Sequence, residues 1–188
     1  LVVEHGKKLR WRTLIANHRP NEVRRMINEP AAIVGFSDAG AHIRNMAFYS
    51  FPLRMLAQVR DAERAGRPIL PLEKAVWRLT GELAEWFDVD AGHLRVGDRA
   101  DLVVIDPEAL DARLDAYHEA PMEGLDGLVR MVNRSDGTVR TVLVNGRVAF
   151  EGGEVQPALG KERGFGQFLP AGAKVAAGGS AASVRQAA

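Results

Sequence analysis

Between Pro20 and Pro30 the apolar residues Val23, Met26 and Ile27 recur at i, i+3 and i+4. That spacing lays them along one face of a helix of about two to three turns, opened by one proline and stopped before the next. The run "AAIVGF" that follows is apolar at every position, as a strand covered on both faces is, and it is read as a short buried strand over about 31–38. Residues 51–65 return to helical spacing, with Leu53, Leu56, Ala57 and Val59 on one side and Arg54, Arg60, Asp61 and Arg64 on the other. Gly66 supplies the stop. A further helix starts at Pro71 and turns Leu72, Ala75, Val76 and Leu79 inward. Thr80 caps a following short turn that buries Leu83, Ala84 and Phe87. The helical half ends near Asp90.

Beyond Asp90 the period changes. "HLRVGDRADLVVIDP" reads as two short β-runs around a glycine-aspartate turn, and "TVRTVLVNGRVAFEGG" as two strands joined at Asn145-Gly146. Asparagine and glycine both accept the positive φ of a type I′ turn, whose twist matches that of paired strands. Residues 108–135 between these pairs are polar and irregular, with helical character around "PEALDARLDA". No internal repeat is present.

Composition narrows the function classes. Among 188 residues, 25 lysines and arginines nearly cancel 24 aspartates and glutamates, so no global field recruits nucleic acid or an anionic membrane. The absence of cysteine removes disulfides, thiolate zinc sites and a cysteine nucleophile together, and the expected compartment is the cytoplasm. No apolar stretch approaches the roughly 20 residues of a membrane-spanning helix, and the opening "LVVEHGKKLRWR" has no signal-peptide pattern. The first residue is leucine, which points to a fragment. Residues 171–188 are mostly alanine, glycine and serine and bury too little to offset their ordering entropy, so a flexible end is expected there.

Chemistry centres on "IVGFSDAGAH". Asp38 sits where the predicted buried strand ends, the edge at which parallel α/β architectures collect ligands. Spacing alone equally allows an Asx-type turn in which its carboxylate accepts from the amides after it, and Ser37 has the same two readings. His42 follows four residues later and reads more often as an ordinary hydrogen-bonded side chain than as a ligand, and Arg44 is read either as the commoner solvated arginine or as a fork pairing with a substrate carboxylate. His5, His18, His93 and His118 are dispersed, with no H-x-H or H-E-x-x-H pair to hold a metal. No phosphate-binding glycine loop and no G-x-S-x-G elbow occurs. Trp11, Trp77 and Trp86 read as core or interface anchors.

Taken in order, "GFSDAGAH", "FPLRML", "PLEKAVWRLTGELAEWFDV", "GHLRVGDRADLVVIDP" and "TVLVNGRVAFEGG" resemble the C-terminal end of the amidohydrolase superfamily, most closely the N-acyl-D-amino-acid deacylase branch. The pattern G-x-L-x-x-G-x-x-A-D-L-V-V-x-D is carried by Gly92, Leu94, Gly97, Ala100, Asp101, Leu102, Val103, Val104 and Asp106, and V-x-V-N-G-x-V by residues 142–148. The resemblance covers residues 33–153. It implies an α/β fold, the last strand and helices of a metal-dependent (β/α)₈ barrel followed by part of a small β-sandwich. Residues 1–90 would belong to the barrel, 91–153 to the sandwich, and 154–188 to a C-terminal extension.

The same resemblance implies that Asp38 is both the catalytic acid and a metal ligand, the metal being divalent, with zinc expected. His42 and Arg44 would bind substrate, although Ile43 stands where that branch has proline in H-P-R. The early H-x-H, the bridging ligand and the mid-barrel histidines have no counterpart, and such a barrel takes roughly 250 residues, so the expectation is a portion that is inactive alone. Its expected partners are a small-molecule amide substrate, the N-terminal barrel portion of the same protein and further copies in a homo-oligomer, with neither nucleic acid nor membrane. The implied reaction is hydrolysis of a non-peptide carbon-nitrogen bond. Two alternatives stand beside it, a non-catalytic β-rich assembly module and a cyclic-amide hydrolase or deaminase of the same superfamily.

Overall fold

The computed structural model describes residues 1–6, 9, 16–35, 37, 48–122, 124–125, 127–132 and 136–172. They fall into two units, Leu1–Ala32 and Ile33–Ala188. In the first, α1 (Val2–His5) is a single turn and α2 (Pro20–Ile27) opens on proline, whose missing N–H is harmless at a first turn. Glu22 and Arg25 pair at 2.9 Å along α2. Ile27 is buried and Val23 half-buried, whereas Met26 is exposed, so the inward face is an i, i+4 pair rather than the predicted triple. A turn follows, in which the Glu29 carboxylate accepts from the Ala31 amide and the Glu29 carbonyl from that of Ala32.

The strand predicted over about 31–38 is described only in part. Ala31 lies in a turn, 32–35 and 37 belong to no strand, and Phe36 and Asp38 lie outside the described residues. A strand is defined by its ladder partner.

In the second unit a 3₁₀ turn (Phe48–Ser50) leads into α3 (Phe51–Arg64). Met55, Leu56, Val59 and Ala62 are its buried face. The helix ends as a Schellman motif: the Arg67 amide donates to the Ala62 carbonyl and the Gly66 amide to that of Glu63. α3 packs on α4 (Leu72–Leu79), and α4 on α5 (Gly81–Trp86). Within α4 the buried residues are Ala75 and Arg78, and Val76 is exposed, so the inward face is rotated from the predicted one. Thr80 does not cap α5; its hydroxyl donates back to the Val76 carbonyl at 2.8 Å, and Phe87 is exposed. Trp77 is half-buried under the Lys74 ammonium, 3.4 Å from the ring centre, Trp86 is exposed, and Trp11 lies outside the described residues.

Among the described residues all strands pair antiparallel. β1 (Leu102–Ile105), β4 (Val139–Val144), β5 (Arg147–Glu151) and β6 (Glu154–Val155) form one sheet in the order β1-β4-β5-β6. β2 (His118–Pro121) and β3 (Val129–Val132) form a separate pair, which the sequence reading left inside the irregular stretch. Asn145 (φ 52°) and Gly146 (φ 76°) make the β4–β5 turn as predicted. Of the two β-runs expected around Gly97-Asp98, only β1 forms. Residues 93–96 are irregular with Leu94 85% exposed, and Asp98 makes a turn by accepting from the Arg95 amide.

The loop after β1 joins sheet to helices. Its 3₁₀ turns, Pro107–Ala109 and Ala112–Asp115, are opened by Asp106 and Asp111, each accepting from the amide two residues on. Leu110 and Leu114 are buried there, and the fully buried Thr138 donates its hydroxyl to the Ala109 carbonyl at 2.8 Å. From α3, Arg60 donates to the carbonyls of Pro107 and Leu110, Arg54 pairs with Asp115 and Arg64 with Glu108. The charged face of this helix is therefore a clamp on this loop. Among the described residues, no helix is long and apolar enough to cross a membrane.

Candidate functional site

Asp38, His42 and Arg44 all lie outside the described residues. The described residues flanking them in sequence are Ser37, which is half-buried, and the 3₁₀ turn that opens α3. In that turn Ser50 is buried, and its hydroxyl has no hydrogen-bond partner among the described residues. An orphaned buried hydroxyl costs about 1–3 kcal/mol, so Ser50 is a polar group that is owed a partner. Sequence reasoning assigned Ser50 no role.

The motif residues after α5 turn out to be scaffold. Gly92 (φ +76°) lies against the joint between α4 and α5, where an added Cβ would come within 2.7 Å of the Thr80 carbonyl carbon and oxygen. His93 follows it, and its Cε1 would lie 3.2 Å from a Cβ at Gly81. Close approach of the two backbones explains glycine at 92, whereas at 81 an added Cβ would meet the Trp77 ring at 2.8 Å and the His93 ring at 3.2 Å. Beneath the bend, Arg78 and Glu82 pair at 2.9 Å with their side chains 3% and 16% exposed. The i, i+4 spacing of this pair was the available signal, but nothing in the pattern told a buried pair from a solvated one.

Asp101, the acid of A-D-L-V-V, accepts from the Asn145 amide at 2.7 Å and pairs with Arg99 at 2.6 Å. Burial works against its charge, yet the Asn145 amide and the Arg99 guanidinium outweigh it and hold the carboxyl below its ordinary pKa. Asp106 is held below the ordinary range by Arg140, 2.5 Å away, and by the Glu108 amide. Asp111 is lowered by the side chain and amide of Arg113. All three acids stay ionised as tethers for turns. A carboxylate that must take up a proton near neutrality needs the opposite shift.

Among the described residues no three histidines or acids stand close enough to hold a metal ion. His93 has Glu85 at 3.9 Å and His5 has Glu4 at 3.7 Å, pairs rather than ligand sets. The described donors therefore do not fit a catalytic metal.

An uncharacterized protein of Mycobacterium bovis and uncharacterized proteins of two Mycobacterium tuberculosis strains are each 52% identical to this chain over 179 residues, 95% of it. The chain spans 29% of the length of these curated relatives. No solved structure matches it. The sequence pattern that defines the Amidohydrolase family matches residues 1–150, four fifths of the chain, and the chain belongs to that family.

Proposed function

We propose that this chain is the C-terminal portion of a metal-dependent amidohydrolase that cleaves non-peptide carbon-nitrogen bonds, with N-acyl-D-amino acids as the substrate class. The observation that carries the reading is the family match over residues 1–150. In it, residues 1–90 supply the end of a (β/α)₈ barrel, 91–153 a β-sandwich segment and 154–188 an extension. Asp38 is the catalytic group: its carboxylate takes the proton of the attacking water and returns it to the leaving nitrogen, the double duty of one well-placed acid. The other motif acids, Asp101 and Asp106, are committed to turns, which leaves Asp38 to do this work. His42 and Arg44 hold the substrate, the arginine through its carboxylate. The divalent metal, zinc in this reading, takes Asp38 as one ligand and its remaining donors from outside this chain.

The sheet supports the need for more protein. Val103 and Val104 of the edge strand β1 point to opposite faces and are 57% and 49% exposed. An apolar edge left open is a template for another strand. The same observation favours a second reading, a β-rich assembly module in which Asp38 is only a turn acid.

The deciding experiment assays the full-length protein against N-acyl-D-amino acids, their L-enantiomers and cyclic amides, with Asp38→Asn beside it. The expected result is D-selective hydrolysis that falls on the order of 10²- to 10⁴-fold in the variant at unchanged melting temperature, with no turnover by the 188-residue chain alone. Cyclic-amide turnover would move the substrate class, and an active Asp38→Asn would remove the catalytic assignment.

A further inference from the structure

The segment after β6 returns to the β4–β5 turn and then leaves it for the helices. At the turn, the Arg147 guanidinium donates to the Arg163 carbonyl at 2.7 Å, pairs with Glu162 at 2.8 Å and lies 4.1 Å from the centre of the Phe165 ring. Asn145 donates its side-chain amide to the Gly164 carbonyl at 3.3 Å. Further on, the Gly172 amide donates to the Asp88 carbonyl at 2.7 Å, just past the end of α5. An exposed ion pair by itself contributes little. Here one planar side chain makes a charge-assisted bond, an ion pair and a ring contact at once, so its rotamer entropy is lost only once for three interactions.

We infer that residues 156–172 act as a brace that couples the β4–β5 turn of the sheet to the C-terminal end of α5, so that releasing either end loosens the other. Two observations set this segment apart from a passive tail. It ties the sheet side to the helices at a second place, beside α5, whereas the loop at 106–115 is held by α3. It also lies beyond residue 150, where the family pattern stops, yet inside the match to the mycobacterial relatives, which leaves only nine residues unmatched. The segment is thus part of the length matched in those relatives and lies outside the span of the family pattern.

The test is amide hydrogen exchange on the full 188-residue chain, perturbed from each end in turn. Arg147→Ala removes the anchor at the turn. Gly172→Ala strains the other end, because Gly172 has φ +77°, a left-handed backbone that an L side chain rarely adopts. Each variant should speed exchange on the order of tenfold both at Asn145–Arg147 and at Gly172, while the amides of α3 keep the parent rates. Arg147→Lys, which keeps the charge but loses the fork, should fall between. If Arg147→Ala quickens exchange only at the turn and Gly172→Ala only at Asp88–Gly172, the contacts are two independent clips and the brace is refuted.

Discussion

Helix α3 and strand β1 both carry apolar residues in the larger unit, and they differ in what covers them. α3 buries Met55, Leu56, Val59 and Ala62 and uses its arginines to grip the loop at 107–115. β1 is apolar at every position, yet Val103 and Val104 are exposed and its outer edge pairs with no strand among the described residues. Among the described residues, α3 thus buries its apolar face, whereas β1 leaves both valines exposed and its outer edge without a strand. In the proposed reading, the open edge of β1 is where the remainder of a longer amidohydrolase would dock.

Substitutions sharpen that contrast. Val59→Asp places a charge at a fully buried site and should cost more than about 4 kcal/mol, seen as loss of the cooperative thermal transition. Gly92→Ala forces a Cβ against the Thr80 carbonyl from a left-handed backbone and should cost about 2–4 kcal/mol in denaturant unfolding. The tethering acids give a pH signature. Because Asp106 is lowered in the folded state, its contribution is complete above the ordinary carboxylate range and disappears as pH falls through the lowered value. Asp106→Asn should accordingly narrow the difference in melting temperature between about pH 7 and about pH 3. The smallest effect belongs to the open edge: Val103→Asp should change the stability of this chain by no more than about 0.5 kcal/mol while weakening its association with a complementing barrel portion.

How much of this was written in the sequence depends on whether the cause was local. The existence and extent of α3 follow from its period, and the β4–β5 turn from Asn145-Gly146, because both causes lie within a few residues. The face that α4 turns inward could not be read. Its orientation is set by the bend at Thr80 and by Gly92 packing across it, which draws Arg78 inside and leaves Val76 out. The strands β2 and β3, "HEAP" and "VRMV", lack alternation strong enough to announce a pair. For the site, the resemblance directed attention to Asp38, His42 and Arg44, which lie outside the described residues, while the tether roles of Asp101, Asp106 and Asp111 required the amides they capture.

The grip on the Asn145-Gly146 turn has a chemical consequence over the lifetime of the protein. This dipeptide ages fastest when the glycine nitrogen is free to attack the asparagine side-chain carbonyl, closing a succinimide and expelling ammonia. Here the Gly146 nitrogen is engaged with the Ala100 carbonyl at 2.9 Å, and the leaving amide of Asn145 is held by Gly164. The folded hairpin thereby shields its own turn from isoaspartate damage, and deamidation at this position becomes a clock for time spent unfolded.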